Sequence, residues 1–247
     1  MLINAIVAMD KNRGIGINNN LPWRLPQDMQ RFQKLTKGNG KNAIVMGKNT
    51  WNSIRILKDR DHLILSSRLK LDYLHESCNN NASNTNTNSN TNNRFTSNNN
   101  STSNSSLIKS FESITDVINF ANDKQYDQLW IIGGSQIYKQ FLELNLIDNF
   151  YITFIDEVFR CDTYLHSIPN NYILIKNQIT AECTNSGKNT YILIYKQLKK
   201  GASVIYNHSM WKIENVHCDD YPNYYYTIKN DEGREIQTVK SKLKMKG

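Results

Sequence analysis

Short apolar runs, separated by polar turns and amphipathic stretches, fill most of the first 197 residues. Runs of this length are typical of buried strands, whereas apolar residues three or four apart, as after Pro26, favour helices. Strands are predicted at residues 3–9, 42–46, 62–66, 128–132, 149–155, 172–179 and 190–197, and helices after Pro26, after Gly47, at 111–121 and at 136–144. This alternation indicates an α/β fold whose mostly parallel central sheet, flanked by helices, ends in an antiparallel pair.

One segment departs from this pattern. Between residues 79 and 106, 25 of 28 residues are Asn, Ser or Thr. Such a composition buries too little apolar surface to offset its ordering entropy, so a disordered insertion between a strand and a helix is predicted. An inert insertion is the favoured interpretation, and a tract that binds a partner is the alternative.

Beyond residue 197 the pattern changes to closely spaced short strands. They are predicted at residues 203–206, 211–216, 224–228 and 235–239, with turn residues between them. The chain is therefore expected to contain a first domain over residues 1–197 and a small all-β domain, an SH3-like barrel, over residues 198–247. The last residues, 240–246, are basic, and a solvated, disordered end is expected.

The tyrosines of the small domain allow two interpretations. Tyr221, Tyr224, Tyr225 and Tyr226 could cage a methylated lysine or line a groove for an unidentified protein partner. Alternating core and surface positions of a small sheet explain them more simply. Residues 200–247 carry eight Lys or Arg and six Asp or Glu, an excess too small to predict a nucleic-acid partner.

Composition narrows the class of protein further. The formal net charge is +8, no apolar run approaches the ~20 residues of a membrane span, and no secretory signal pattern opens the chain. The four cysteines form no C-x-x-C pair, so neither a disulfide framework nor a metal site is predicted. We expect a monomer with reduced thiols in the cytoplasm, without a membrane partner.

Two glycine-containing turns could build a dinucleotide site without the usual G-x-G-x-x-G pattern. Gly47-Lys48-Asn49-Thr50 and Gly133-Gly134-Ser135 both lie where a predicted strand gives way to a helix, and helix N-termini bind phosphates. Ser66, Ser67 and Arg68 end the third strand and could hold a ribose 2′-phosphate. Taken singly, such turns are usually only turns.

Asp28 is the candidate chemical group on the other side of the fold. It lies in the first turn of the helix that begins at Pro26, where a carboxylate can simply complement the helix dipole. Because the next residues are apolar, it can also be a buried, solitary carboxylate that pairs with an amidine-like ring edge.

Six motifs follow one another in the order and spacing of a known family. They are Gly14-Ile15-Gly16; Leu21-Pro22-Trp23 with Pro26 and Asp28; Met46-Gly47-Lys48 with Thr50 and Trp51; Leu65-Ser66-Ser67-Arg68; Ile132-Gly133-Gly134 with Tyr138; and Asp162-Thr163. Residues 1–197, apart from the insertion, therefore closely resemble dihydrofolate reductase.

The resemblance implies an NADPH-dependent reduction of 7,8-dihydrofolate to tetrahydrofolate, with hydride transfer to C6 and protonation at N5. In that family the residue matching Asp28 binds N3 and the 2-amino group of the pterin, the residue matching Thr153 supports it, and Trp23 lies near the water that protonates N5. The matching folate-pocket residues are Ile6, Met29, Phe32, Ile54 and Leu57. Arg60 matches the arginine that pairs with the glutamyl carboxylate of folate.

The resemblance also implies a set of NADPH contacts, and the family's Gly-Gly peptide is cis. The matching cofactor residues are Ala8, Ile15, Gly16, Gly47, Lys48, Asn49, Thr50, Ser66, Ser67, Arg68, Ile132, Gly133, Gly134, Ser135, Gln136, Ile137 and Tyr138.

This chain departs from the family pattern before Arg60, where Pro-Leu-Pro-Gly-Arg becomes Ile56-Leu57-Lys58-Asp59-Arg60. The affinity for the folate tail is the property that this change would affect. Two other hypotheses are kept: a reductase of the same fold acting on another pterin or a riboflavin precursor, and a non-catalytic scaffold whose small barrel binds a protein. A fused thymidylate synthase is not expected, because no Pro-Cys motif follows.

Overall fold

A computed structural model of the chain describes residues 1–76, 105–220 and 223–245. Residues 79–104 of the Asn-rich tract, and with them most of the predicted disordered loop, lie outside the described residues. Within the described ranges, no helix is both long and apolar enough to cross a membrane.

The first eleven strands form a nine-stranded sheet and a two-stranded ribbon. They are β1 (Leu2–Met9), β2 (Gly14–Gly16), β3 (Asn42–Gly47), β4 (Asp61–Leu65), β5 (Asp72–Glu76), β6 (Ser105–Phe111), β7 (Gln128–Gly133), β8 (Asn149–Ile155), β9 (Thr163–Tyr164), β10 (Tyr172–Cys183) and β11 (Asn189–Gln197). β2 and β9 make the ribbon, and the spatial order of the sheet is β10-β11-β8-β1-β7-β3-β4-β6-β5.

The sheet is mixed, with parallel pairings through its centre from β8 to β6. β11 runs antiparallel to β8 and β10 antiparallel to β11, which confirms the predicted antiparallel pair at one edge. The opposite edge carries two strands that were not predicted: β5 pairs antiparallel with β6, and Glu76 lies opposite Ser105.

Four α-helices connect these strands: α1 (Pro26–Lys37), α2 (Lys48–Ser53), α3 (Ile114–Asp123) and α4 (Ser135–Glu143). Proline opens α1, where its fixed φ suits a first turn, and Gly38 ends it at a φ of 53°. Ser113 caps α3 by accepting a hydrogen bond from the backbone N–H of Asp116 at 3.1 Å. The predicted helix at 111–121 was therefore placed too early, because Phe111 belongs to β6.

Alternation along the strands divides the core into two apolar layers. Ala5, Val7, Val45 and Leu63 face α3 and α4 in one cluster. The intervening residues Ile6, Ile44, Met46 and Ile64 belong to a second cluster that includes Phe32 and Leu35 of α1. Because side chains in a strand point alternately to opposite faces, one sheet supports both layers.

The C-terminal region forms a separate antiparallel sheet. Its strands are β12 (Ser203–Tyr206), β13 (Ser209–Asp220), β14 (Asn223–Lys229), β15 (Glu235–Val239) and β16 (Lys244–Met245), in the order β15-β14-β13-β12-β16. Its own core consists of Leu198, Val204, Trp211, Ile213, Tyr226, Ile228 and Leu243. The all-β prediction is confirmed, and the simpler interpretation of the tyrosines holds for Tyr226, which is fully buried.

Two boundary predictions were wrong. Residues 240–245 were expected to be a solvated end, but a 3₁₀ turn (Lys240–Lys242) leads into β16, which pairs with β12. Leu243 supplies the reason, since it is buried in the small core. Ser105 and Ser106 were assigned to the disordered tract, yet they begin β6, where Ser106 is buried.

We expect Leu243→Ala to destabilise the C-terminal sheet by about 2–4 kcal/mol, because it removes a fully packed side chain. The measurement is a urea titration followed by tryptophan fluorescence, since Trp211 lies in the same core. Lys244→Ala, at an exposed neighbouring position, is the control and should change stability by less than ~0.5 kcal/mol. An unchanged transition for Leu243→Ala would show that this segment does not pack.

Candidate active site at the start of helix α1

The candidate site lies where the first turn of α1 meets the carboxyl ends of β1 and β8. Ala8 of β1 is opposite Thr153 of β8 in the parallel ladder, and Thr153 contacts Asp28 of α1. Parallel α/β sheets bind ligands at this edge, where the strands end and the loops leave room. The structure therefore brings Ala8, Thr153 and Asp28, three of the predicted site residues, close together.

The carboxylate of Asp28 is held by two neighbours. The Thr153 hydroxyl donates to Asp28 Oδ1 and accepts a hydrogen bond from Arg31 Nη1 at 2.9 Å. The same Arg31 nitrogen lies 3.9 Å from Asp28 Oδ1, and the two side chains are only 19% and 18% exposed. Asp28 is thus a half-buried ion-pair partner as well as a hydrogen-bond acceptor.

A second carboxylate fixes the backbone of the same turn. Glu182 of β10 is buried, and its two oxygens accept the N–H groups of Gln27 at 2.9 Å and Asp28 at 3.0 Å. Leu25, the residue before α1, offers no side-chain cap. Glu182 therefore satisfies two of the unpaired N–H groups that open a helix and complements the helix dipole.

Burial dominates the electrostatics of the site. It raises the pKa of Asp28, while the hydrogen bond from Thr153 and the charge of Arg31 oppose that rise, and the negative charge of Glu182 adds to it. Burial also lowers the pKa of Arg31, against the opposing effect of Asp28. Hydrogen-bond donors from a ligand would consequently stabilise the charged form of this poorly solvated carboxylate.

An apolar wall begins one helical turn after Asp28, at Phe32 of α1. Of the predicted folate-pocket residues, Ile6 is buried in the cluster that contains Phe32, Ile54 and Leu57, together with Ile132. Met29 differs, since it is 42% exposed. A ligand could cover that exposed surface, so the prediction for Met29 stays a prediction.

Trp23 presents a polar atom with nothing to bind. Its Nε1 is buried and has no hydrogen-bond partner among the described residues, while its ring packs edge-on against Phe159 at a centroid distance of 5.3 Å. A buried N–H without an acceptor is costly, which favours a water or a ligand atom at this position.

Arg60 is rigidly positioned although its loop lacks the prolines and glycine of the related motif. It is 6% exposed, and its guanidinium donates to the Lys58 carbonyl at 2.9 Å and to the Thr36 hydroxyl. Asp59 takes the glycine position with a φ of 64°, which aspartate tolerates, and pairs with Lys37 at 2.8 Å. A cavity of about 530 Å³ lies beside Arg60, Lys34 and Lys58.

Two helix starts meet on the opposite side of the site. Gly47 and Gly134 precede α2 and α4, and neither helix has a side-chain cap. An added Cβ at Gly47 would lie 3.1 Å from Ile137, and one at Gly134 would lie 3.5 Å from the Thr50 hydroxyl. The two helix starts are therefore close together, as the binding of one diphosphate by both would require.

The remaining predicted cofactor residues surround these helix starts. The Gly133–Gly134 peptide is cis, as predicted, and the buried Tyr138 hydroxyl donates to the Ile6 carbonyl at 2.7 Å. Ser135 donates to the Tyr164 carbonyl. Exposed side chains at the first turns of α2 and α4 are Lys48, Asn49 and Gln136.

Two further groups of predicted cofactor residues lie on loops. Ile15 and Gly16 belong to β2, which Asp162 holds: its N–H donates to the Gly16 carbonyl at 3.0 Å, and its carboxylate accepts the Asn18 N–H at 2.8 Å. After β4, Ser66 accepts the backbone N–H of Leu69 at 3.2 Å, in a turn that leaves Ser67 and Arg68 exposed.

Comparison with known proteins identifies this arrangement. A sequence profile described as dihydrofolate reductase matches residues 2–96 and 89–200. The chain belongs to the dihydrofolate reductase family. Among relatives, the viral dihydrofolate reductase of Saimiriine herpesvirus 2 (strain 488) is 33% identical over 189 residues, which cover 71% of this chain and 74% of that protein.

A bacterial relative and a solved structure extend the match. The dihydrofolate reductase of Buchnera aphidicola subsp. Baizongia pistaciae (strain Bp) is 31% identical over 204 residues, 81% of this chain and 99% of its own. The Enterococcus faecalis dihydrofolate reductase, solved with NADP(H) and RAB-propyl, superposes with a TM-score of 0.56 at 21% identity and covers 79% of this chain and 96% of that one. That likeness shows a shared fold.

Two charged residues that contact Asp28 were missed by the sequence analysis. Arg31 follows Asp28 by three residues, a spacing that places both on one helix face, so its proximity could have been anticipated. Glu182 is separated from Asp28 by 154 positions. No local signal indicates that contact, which depends on the pairing of β10 with the rest of the sheet.

Removing the Glu182 carboxylate should destabilise the first turn of α1. We expect Glu182→Ala to cost about 1–2 kcal/mol, the range for losing a helix N-cap, and Glu182→Gln to cost less because its amide oxygen still accepts one N–H. Thermal denaturation of both variants is the measurement. Glu143→Ala, at the exposed end of α4, is the control, and equal midpoints for all three would contradict the capping role.

Proposed function

We propose that this protein reduces 7,8-dihydrofolate to 5,6,7,8-tetrahydrofolate with NADPH as the cofactor. The observation that carries the proposal is the half-buried carboxylate of Asp28, held by Thr153 beside an apolar wall, in a chain of the dihydrofolate reductase family. A flat heterocycle with adjacent N–H and amino donors is the ligand that such a carboxylate fits.

Asp28 would bind N3 and the 2-amino group of the pterin through its two oxygens. Thr153 and Glu182 fix its rotamer and its backbone, so the ring edge meets a preorganised acceptor. Ile6, Phe32 and Ile54 would cover the ring faces and exclude water. The chain would orient the ring and exclude water, and it would form no covalent bond with the substrate.

Protonation at N5 needs a proton source on the side of the ring away from Asp28. The orphaned Nε1 of Trp23 would hold a water there, and a water in an apolar pocket can deliver a proton to N5 directly. Trp23 is thus assigned to proton delivery through a bound water and Asp28 to ring orientation and polarisation.

The residues present fit NADPH. The converging, uncapped starts of α2 and α4 would bind the diphosphate, Arg68 the 2′-phosphate, and Ile15, Gly16 and Ile132 the nicotinamide. When bound, this cofactor supplies the hydride that C6 of dihydrofolate receives. The folate tail would lie in the cavity beside Arg60, whose guanidinium would pair with a glutamyl carboxylate.

The C-terminal sheet is assigned the SH3-like barrel expected from its sequence. Its strand order and the 3₁₀ turn between β15 and β16 support this topology. Register shifts in β13 after Ile213 and after His217 allow one long strand to bend. A protein partner for this barrel, the monomeric state, the cytoplasmic location and the lack of nucleic-acid binding stay predictions.

The activity assay compares four mixtures: dihydrofolate with NADPH, dihydrofolate with NADH, and each nicotinamide alone. We expect the reduced-nicotinamide absorbance to fall rapidly only with dihydrofolate and NADPH. Arg68→Ala, an exposed substitution, should raise the KM for NADPH and leave that for NADH unchanged. No turnover in any mixture would favour the scaffold hypothesis, and turnover only in a further mixture that contains another pterin would favour a different reductase.

Asp28→Asn should lower turnover at neutral pH by roughly 10²–10⁴-fold, the range for losing a positioned acid–base group. The amide keeps the size of the side chain but replaces one acceptor with a donor facing the 2-amino group. Steady-state kinetics measure the effect. Asp162→Asn changes a different carboxylate of the same region, one that accepts the Asn18 N–H, and it should lower turnover less. Near-normal turnover of Asp28→Asn would remove Asp28 from the mechanism.

The same substitution should stabilise the fold at neutral pH. Because burial raises the folded-state pKa of Asp28, the stabilising contribution of this group is fully present below its unfolded-state pKa and is lost as pH rises through the folded-state value. Asp28→Asn should therefore melt above the parent protein at pH 7, and the gap should narrow on acidification. Melting curves across this pH range test the sign, and a gap that widens in acid would contradict it.

A further inference from the structure

Arg31 is a cation placed within the reach of the substrate-binding carboxylate. It lies one helical turn after Asp28, and its Nη1 is 3.9 Å from Asp28 Oδ1. The hydrogen bond from Nη1 to the Thr153 hydroxyl, at 2.9 Å, holds the guanidinium on the same threonine that supports Asp28. The three side chains form a closed unit, here called the Asp28 triad (Asp28, Arg31 and Thr153).

The guanidinium is not fully used by the protein. Its Nη2 is buried and has no hydrogen-bond partner among the described residues. The other groups that act on the two charges are Glu182, from β10, which faces Asp28, and Tyr151, from β8, which faces Arg31. The net charge of Asp28, Arg31 and Glu182 together is −1 when all three are ionised.

We propose that Arg31 is a positioning and specificity-determining residue, an internal counterion of Asp28 that shifts the preference of the site away from ligands that bind as cations and towards ligands with a neutral, amide-like ring edge. The inference rests on the proposed function and adds to it how the site discriminates between neutral and cationic rings.

The physical basis is that a neutral ring and a cationic ring interact differently with the Asp28 carboxylate. A 2-amino-4-oxo ring donates two N–H groups and stays neutral, so Asp28 can serve it and Arg31 together. A 2,4-diamino ring is basic beside the amino groups and takes up a proton from solvent when it binds a carboxylate. That cation must share Asp28 with Arg31, and like charges this close in a poorly hydrated site repel.

A matched pair of pteridines tests the proposal on the full chain. The probes are 2-amino-4-oxo-6,7-dimethylpteridine and 2,4-diamino-6,7-dimethylpteridine, which differ in one substituent, and binding is followed by fluorescence quenching with NADPH present. We expect Arg31→Gln to strengthen binding of the diamino ring, relative to the oxo ring, by about tenfold or more, since an adjacent Arg shifts an Asp by 1–3 pKa units. Arg31→Lys, which keeps the charge, should retain most of the parent preference.

A second readout does not depend on any ligand. Carbon NMR of the Asp28 carboxyl in the free protein should show a higher pKa in Arg31→Gln than in the parent or in Arg31→Lys, because removing a neighbouring cation disfavours the carboxylate. A purely structural role for Arg31 would move neither the ratio of affinities nor this titration in a charge-dependent way. Should Arg31→Gln fail to fold, Arg31→Met, with similar length and no charge, replaces it.

The outcomes separate the two proposals. An unchanged ratio of affinities, or a Lys variant that behaves like the Gln variant, would overturn the role of Arg31 even in an active enzyme. Absence of dihydrofolate turnover by the parent protein would overturn the proposed function, whereas the pteridine ratio and the NMR titration would still report on Arg31.

Discussion

A single carboxylate placed where water is scarce is the constraint around which this molecule is organised. Asp28 is costly to ionise there, and its neighbours act on that cost in opposite directions: Thr153 and Arg31 favour the charge, while burial and Glu182 oppose it. The remaining donors must come from outside the protein. Such a site lowers the stability of the fold when no ligand is bound, and it favours ligands that supply the missing hydrogen-bond donors. This is the usual relation between stability and function in enzymes.

The two halves of the site rely on different parts of the chain. The proposed pterin side depends on side chains, each held by a partner from another element, as with Asp28 and Glu182. The proposed nicotinamide and phosphate side depends on backbone N–H groups at the starts of α2 and α4, where glycine lets the two helices approach. Substitutions should accordingly alter substrate choice on the first side more readily than cofactor geometry on the second.

Much of this arrangement could be predicted from the sequence, because its signals are local. Apolar runs located most strands of the main sheet, and ordered motifs located Asp28, Arg60 and the two glycine turns. Three kinds of feature were missed: β5, whose partner lies beyond the Asn-rich tract, the basic segment that ends in β16, and the contact of Glu182 with α1. Each depends on tertiary pairing across many residues, for which a single sequence carries no periodic pattern.

The hairpin of β5 and β6 is a position at which the fold tolerates inserted sequence. Glu76 of β5 and Ser105 of β6 are ladder partners, so the long tract between them starts and finishes at one spot on the edge of the sheet, with five strands between β5 and β8. Closure of such a loop depends only weakly on its length. This tip is therefore suited to relocated chain termini or to an inserted fluorescent reporter, with catalysis left intact.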